Sequence, residues 1–280
     1  AEAVLACDRA LALNPGNVSA LRMGIRARLK SCDWRRLEED SRTITDCLNA
    51  GVSIITPFDH RMLSNSEAEH LQAARLALRN IPPSANPLWR GERYGHRRIR
   101  IAYVSTDLRR HATSHLMVGC FENHDRNRFE TTAISLFPGD GTEMRKRVEA
   151  AFDHFLDVDA MSDIDVAKLM REHEIDIAVD LNGLTRGTRT RIFSYRPAPI
   201  QVNFVGYPGT MGTTFMDYII ADHIVIPEEN RVHYSEKAAY LPYSYQPNDS
   251  KRPIAEKVPT RKEAGLPEHG FVFTCLNNPA

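Results

Sequence analysis

Between Ile99 and Leu241 short apolar runs alternate with amphipathic stretches, and this alternation constrains the fold more than any other feature of the chain. Runs at Ile99–Val104, Phe129–Phe137, Phe155–Asp157, Ile175–Leu181, Ile200–Tyr207, Tyr218–Ala221 and Ala239–Leu241 read as strands. Helical patterns over Thr113–Glu122, Glu143–Ala151, Asp163–His173 and Thr188–Tyr195 separate the first of them. Strands that alternate with helices are joined by right-handed crossovers into a parallel sheet covered on both faces, so the fold class is α/β and doubly wound.

The first 80 residues have a different grammar. Ala3, Ala6, Ala10 and Leu13 recur at helical spacing until Asn14-Pro15-Gly16-Asn17 stops the pattern. Further helices are predicted from Val18 to about Lys30, from about Trp34 to Leu48, and from Ser66 to about Arg79, the last opened by a capping box at Ser66 and Glu69. Residues 81–97, with Pro82, Pro83, Pro87, Gly91 and Gly95, read as a connector loaded with arginines. Its two readings are a solvated linker and a basic strip for a partner. The predicted division is therefore 1–17, 18–80, 81–97 and a lobe over 98–280. A further strand at Phe271–Leu276 reads as the start of a second lobe at about 271, so a fragment of a longer chain is expected.

Composition excludes several function classes. Hydrophobic residues make up 42% and charged residues 26% of the 280, which fits a globular chain. Lys+Arg and Asp+Glu are 36 each, so no net field favours nucleic acid or an anionic membrane. No run approaches the ~20 apolar residues of a membrane span, and no signal peptide is read at the amino end. The five cysteines are scattered and lack a CxxC pair, which points to a reducing compartment and a cytoplasmic location, without a disulfide framework or zinc site.

Open α/β sheets bind ligands beyond the carboxyl ends of their strands, and three such ends carry unusual residues. The first is Ser105-Thr-Asp-Leu-Arg-Arg-His-Ala-Thr-Ser-His115. His111 at a helix start, where positive charge is disfavoured, is a general-base candidate, with Asp107 beside it. The competing reading has Thr113 or Ser114 capping the helix and the histidines as local hydrogen-bond partners. His111 and His115 lack a third ligand or an HExxH frame, so no metal is assigned. The second end is Asp180-Leu-Asn-Gly183 followed by Thr185, Arg186 and Arg189, which read either as an anion-facing turn or as an ordinary βα turn with surface arginines. The third is Gly206-Tyr-Pro-Gly-Thr-Met-Gly212, where glycines allow close approach of a ligand and Tyr207 offers a stacking face for a sugar. No GxxxxGK[ST] or GxSxG motif is present, which argues against P-loop NTPases and α/β-hydrolases.

These loops, with Pro138-Gly-Asp-Gly-Thr142, Arg196-Pro-Ala-Pro-Ile-Gln201, Phe215-Met-Asp-Tyr-Ile-Ile220 and Tyr234-Ser-Glu-Lys237, occur in one order. Together they resemble the catalytic region of the bacterial protein O-linked N-acetylglucosamine transferases of glycosyltransferase family 41, over roughly residues 97–280. Residues 1–17, ending in Ala10-Leu-Ala-Leu-Asn-Pro15, look like the close of a tetratricopeptide repeat, with a helical linker over 18–80. The resemblance implies a GT-B enzyme of two Rossmann-like lobes, of which this chain carries the acceptor-side lobe. It implies inverting transfer of N-acetylglucosamine from UDP-N-acetylglucosamine to Ser or Thr hydroxyls of proteins, with no metal and no cofactor. Protein or peptide acceptors would be recruited through the helical repeats.

By the same resemblance His111 is a base or positioning group, and Asp107 relays the acceptor proton through water. Thr113, Gly206 and Pro208 approach the sugar, as do Met62 and Leu63 from the helical linker, and Arg189 lines the cleft. Asn182, Tyr207 and Gly209 complete the expected substrate-binding set. Asp59 or His60 falls where some members carry a histidine, Leu184 where some carry Tyr, and Arg110 where some carry Asn. The alternative from a different class is a protein-binding module with a helical scaffold and no catalysis.

Overall fold

The computed structural model describes residues 2–274. The chain divides into two compact units, one of residues up to 37 together with those from 250 on, and one of residues 38–249.

In the first unit, α1 (Glu2–Leu13) and α2 (Val18–Lys30) pack as a helical pair. Asn17 caps α2 by accepting from the Ala20 amide at 3.0 Å. Gly24 lets the helices close: a β-carbon there would lie 3.2 Å from that of Cys7. The nearly buried Arg28 pairs with Asp8 across the helices at 3.4 Å. Residues 250–274 contain no helix or strand. The strand expected at Phe271–Leu276 is thus absent over 271–274, and its remainder lies outside the described residues.

The second unit opens with α3 (Leu37–Asn49), the single turn α4 (Pro57–His60) and α5 (Glu67–Leu78). Then β1 (Ile99–Ser105), α6 (Ala112–Glu122), β2 (Phe129–Ser135), α7 (Glu143–Ala150), β3 (His154–Asp157), α8 (Asp163–Glu172) and β4 (Ile177–Asp180) follow in strict alternation. The chain continues through α9 (Arg191–Ser194), β5 (Ile200–Asn203), β6 (Tyr218–Ala221), a 3₁₀ turn (Glu228–His233) and β7 (Lys237–Tyr240). All pairings are parallel and the strand order is 3-2-1-4-5-6-7.

Alternate residues of each strand feed opposite faces. Ala102, Val104 and Ala178 join Val166 and Met170 of α8, Ile192 and Phe193 of α9, and Ala74 and Leu78 of α5. Ile101, Tyr103 and Val179 join Met117 and Phe121 of α6 and Val148 of α7 on the other face. Each large side chain so buried contributes about 1.5–3 kcal/mol. The sheet is therefore sandwiched between two helical layers, as the alternation implies.

Two readings change and a third is extended. The predicted strand over Ile200–Tyr207 stops at Asn203, because Val205 takes φ +61° and the Gly206 amide turns back to Phe204 O at 2.8 Å. The helix over Thr188–Tyr195 is reduced to α9. The connector is solvated, none of its residues being buried, but it is also strapped down: Ser84, Leu88 and Trp89 amides donate to the carbonyls of Ser194, Tyr195 and Arg196 at 2.8–2.9 Å. The arginines after it do not form a free basic strip: Arg98 is paired with Glu130 and Asp153, and Arg100 with Glu174.

Candidate active site at the carboxyl edge of the sheet

The strand order reverses direction at β1, with β2 on one side and β4 on the other. The loops leaving β1 and β4 therefore diverge to opposite faces and open a crevice between them, where open sheets of this kind hold their ligands. In this sheet those loops are Ser105–His111 and Leu181–Thr190.

Asn182 joins the two loops. Its Oδ1 accepts from the Thr106 amide at 2.8 Å, and its Nδ2 donates to Asp107 Oδ2 at 2.8 Å and Thr106 Oγ1 at 2.9 Å. Asp107 Oδ1 accepts from the Thr106 hydroxyl at 3.2 Å. Asn182 is itself held by Asp180, whose Oδ1 accepts the Asn182 and Gly183 amides at 2.8 and 3.0 Å. Burial pushes the Asp180 carboxyl up to about 6 against the pull of those two amides. Asn182 is 2% exposed and spends its side chain inside the protein, so it holds the site together instead of offering a free amide to substrate.

His111 is the N-cap of α6. Its Nδ1 accepts from the Thr113 amide at 3.2 Å, lies 3.2 Å from Thr113 Oγ1, and stands 3.6 Å from Asp107 Oδ2. Neither Thr113 nor Ser114 caps the helix. The Ser114 hydroxyl instead donates to Asp107 O at 2.6 Å, fixing the loop from below. The loop is braced again by the buried Arg145, which donates to Leu108 O at 3.2 Å, and by Asp140, which accepts from the Arg110 amide at 2.8 Å. Neither brace is legible locally, since Arg145 and Asp140 sit more than 25 residues away.

The third strand end is built against the second. A β-carbon on Gly206 would stand 1.9 Å from Leu181 O, so the close approach its glycine permits is to the chain's own backbone. Gly183, at φ +54°, would meet Tyr207 Cβ at 2.4 Å. Val205 is β-branched at positive φ, a strained conformation of the kind concentrated at functional sites. Tyr207 is 1% exposed, packed in the core and against Gly209, and so presents no stacking face. Pro208 is half-buried at the rim. The loop is pinned by the buried Glu236, which accepts from Thr210 Oγ1 at 2.7 Å and the Met211 amide at 2.6 Å.

The sequence matches known proteins. The model of glycosyl transferase family 41 aligns with residues 52–261, three quarters of the chain. The chain belongs to glycosyl transferase family 41. A probable UDP-N-acetylglucosamine–peptide N-acetylglucosaminyltransferase of Arabidopsis thaliana is 43% identical over 188 residues, 65% of this chain and 19% of the plant protein. A UDP-N-acetylglucosamine–peptide N-acetylglucosaminyltransferase of Caenorhabditis elegans is 32% identical over 230 residues, 76% of this chain and 20% of its own length. The solved structure of a mutant Thermobaculum terrenum O-GlcNAc transferase superposes with a TM-score of 0.65 and 27% identity, over 87% of this chain and 48% of that one. The chain thus spans about a fifth of those curated relatives and about half of the solved structure.

Within this family 41 chain the expected site residues separate into groups. Asp107, His111, Thr113 and Asn182 converge at the crevice. Gly206, Pro208 and Gly209 form the adjoining loop. Met62, 60% exposed, and the half-buried Leu63 lie on the turn after α4. Arg189 departs from expectation: its guanidinium is committed to Asp163 at 2.7 Å, Met161 O at 2.6 Å and Val158 O at 3.3 Å, so it braces the β3–α8 loop and is not a free anion ligand. His60 is 1% exposed and edge-on to His70 at 5.1 Å, inside the helical layer. No helix among the described residues is long and apolar enough to cross a membrane.

Proposed function

We propose that this chain is the acceptor-side lobe of an enzyme that transfers N-acetylglucosamine, with inversion, from UDP-N-acetylglucosamine to Ser or Thr hydroxyls of proteins. Family membership and the activity for which the relatives are named support the reaction. The observation that carries the site is the convergence of Asp107, Asn182 and His111 at the switch point of the sheet.

The hydroxyl attacks the anomeric carbon as the UDP oxygen leaves on the opposite face, so the protein must position two partners and receive one proton. Positioning alone supplies roughly 7–11 kcal/mol of barrier reduction, and a proton acceptor about 10²–10⁴-fold more. The cap decides which group accepts. A neutral His111 whose Nδ1 takes the Thr113 N–H carries its own hydrogen on Nε2, and so offers a donor rather than a lone pair. Asp107 keeps lone pairs free after binding Asn182 and Thr106, and its side chain is 13% exposed. We therefore assign Asp107 as the acceptor of the hydroxyl proton through water, and His111 Nε2–H as the group that orients the reacting oxygen.

Thr113, Gly206, Pro208, Met62 and Leu63 are assigned to the sugar pocket, with the uridine held by a second lobe. The proposal uses no metal and no cofactor, and leaving-group charge is met by protein donors. Protein acceptors are recruited by the helices of the first unit, in the cytoplasm. The test is transfer of labelled sugar to a peptide mixture by the reading frame extended through the second lobe. Wild type, Asp107→Ala and His111→Ala are compared, with and without a chelator. Transfer that survives chelation and falls in both variants supports the reading. A folded extended protein that transfers nothing overturns it.

A further inference from the structure

Asp180 is a buried carboxyl that the transfer chemistry does not consume. Its Oδ1 is occupied by two amides, while its Oδ2 is buried and lacks a hydrogen-bond partner. Its register partner on β5 is Asn203, fully buried, whose Oδ1 also lacks a partner. In-register residues of adjacent parallel strands project from the same face of the sheet, so the two side chains are neighbours. Turning the Asn203 amide over does not help. Its Nδ2 already donates to Gly209 O at 3.0 Å and Tyr207 O at 3.4 Å, and a flipped oxygen would face those two carbonyls. Two buried acceptors without a donor are unfavourable, and of the two side chains Asp180 is the one able to take up a proton.

We propose that Asp180 is carried as a neutral carboxylic acid whose Oδ2–H donates to Asn203 Oδ1, tying the turn that holds Asp107 to the turn that carries Gly206–Gly209. The proton comes from solvent as the carboxyl is buried, and no other bond changes. Burial is the force that raises this carboxyl, with no charged neighbour contributing, and a hydrogen bond made by the neutral form raises it further. From β1 the facing register partner is Val104; from β5 it is Asn203. The nearest titratable groups along its hydrogen bonds are Asp107, reached through Asn182, and His111 3.6 Å beyond it. Asp180 is thus a positioning residue. Its importance for transfer rests on the function proposed above, but the bond itself does not.

The whole chain, labelled with ¹³C at aspartate carboxyls, tests this by NMR titration, the Asp180 signal being assigned by its loss in Asp180→Asn. A midpoint at or above about 6 is expected, against about 3.9 for a free aspartate. Asn at this position supplies an N–H in place of the O–H, so Asp180→Asn should fold and lose the wild-type fall in Tm as pH rises through the carboxyl midpoint. Asp180→Leu, without a donor, should lower Tm at every pH. A midpoint near the free value overturns the proposal, as does an Asp180→Asn protein as unstable as Asp180→Leu. None of these readouts requires transfer, so a failed transfer assay leaves this result standing.

Discussion

Both ends of the sheet carry a histidine beside carboxylates, and they are built oppositely. At the amino end, His96 is clamped on both nitrogens, Nδ1 to Asp176 at 3.0 Å and Nε2 to Glu174 at 2.9 Å, under a stacked Tyr94. Asp176 also takes the Arg100 amide at 2.8 Å, and Glu174 takes the Arg100 guanidinium. Both ring nitrogens are spent there, and one oxygen of each carboxylate takes two donors. At the carboxyl end, His111 spends one nitrogen on the helix cap and leaves the other uncommitted, and Asp107 keeps acceptor capacity after its two bonds. A saturated cluster stabilises the fold, whereas one with unspent donors and acceptors on a braced frame is ready for a substrate.

That contrast fails most visibly if the two ends respond alike to substitution. In the extended enzyme, Asp107→Ala should lower kcat by about 10²–10⁴-fold, the range for a lost proton acceptor, with the protein still folded after losing about 1–3 kcal/mol where the buried Asn182 amide is left without its acceptor. Wild-type turnover in a folded Asp107→Ala protein would remove Asp107 from the chemistry. Next in size is Gly206→Ala. The added methyl would meet Leu181 O, a backbone atom with no side chain to yield. A loss of about 3 kcal/mol in denaturant melts is expected from such overpacking; a loss under half of that would mean the two loops are not held together.

His96→Leu should reverse the pattern, costing stability and sparing transfer. Burial opposes charge on His96, but the bonds to Glu174 and Asp176 outweigh it and hold the imidazole above its ordinary value. A raised histidine contributes stability that is complete below the unfolded value near 6.5 and is lost as pH rises through the folded one. Wild type should therefore weaken from about pH 6 upward. The variant should lie about 1–3 kcal/mol lower at pH 6, the worth of charge-assisted hydrogen bonds, with the gap closing at higher pH. A gap that widens with pH contradicts the clamp.

The same asymmetry explains what was legible in the sequence. Alternation alone reveals the parallel sheet, and the polar strand ends mark candidate loops, because period and strand termini depend on local pattern; the strand order does not, and it came only with the folded sheet. Asp107 and His111 stand out because they follow a buried strand directly. Asn182 was legible as a site residue, but its task was not, since whether an amide faces substrate or Asp107 depends on how β1 and β4 pair. Arg145, Asp140 and Glu236 were missed for the same reason: each acts across a long sequence separation on a loop it adjoins only in the folded sheet. Tyr207 was misread because an aromatic beside glycines looks open until Gly209 and Gly183 are found packed on its ring.

Arg189 provides the smallest and sharpest test of the comparison, because a charge beside the crevice resembles site machinery while its bonds resemble the saturated end. Its three guanidinium nitrogens each donate to the Val158–Asp163 segment, one of them to a carboxylate. Lysine retains the charge but not the fork, so Arg189→Lys separates the roles. If the guanidinium is a brace, the variant loses about 1 kcal/mol, and the KM for the UDP sugar in the extended enzyme is unchanged. If it binds an anion in the cleft, the KM rises while the melt hardly moves. The second outcome would mean that Arg189 releases Asp163 when substrate binds, and would move the boundary of the site from the β1 and β4 loops out to the β3–α8 loop.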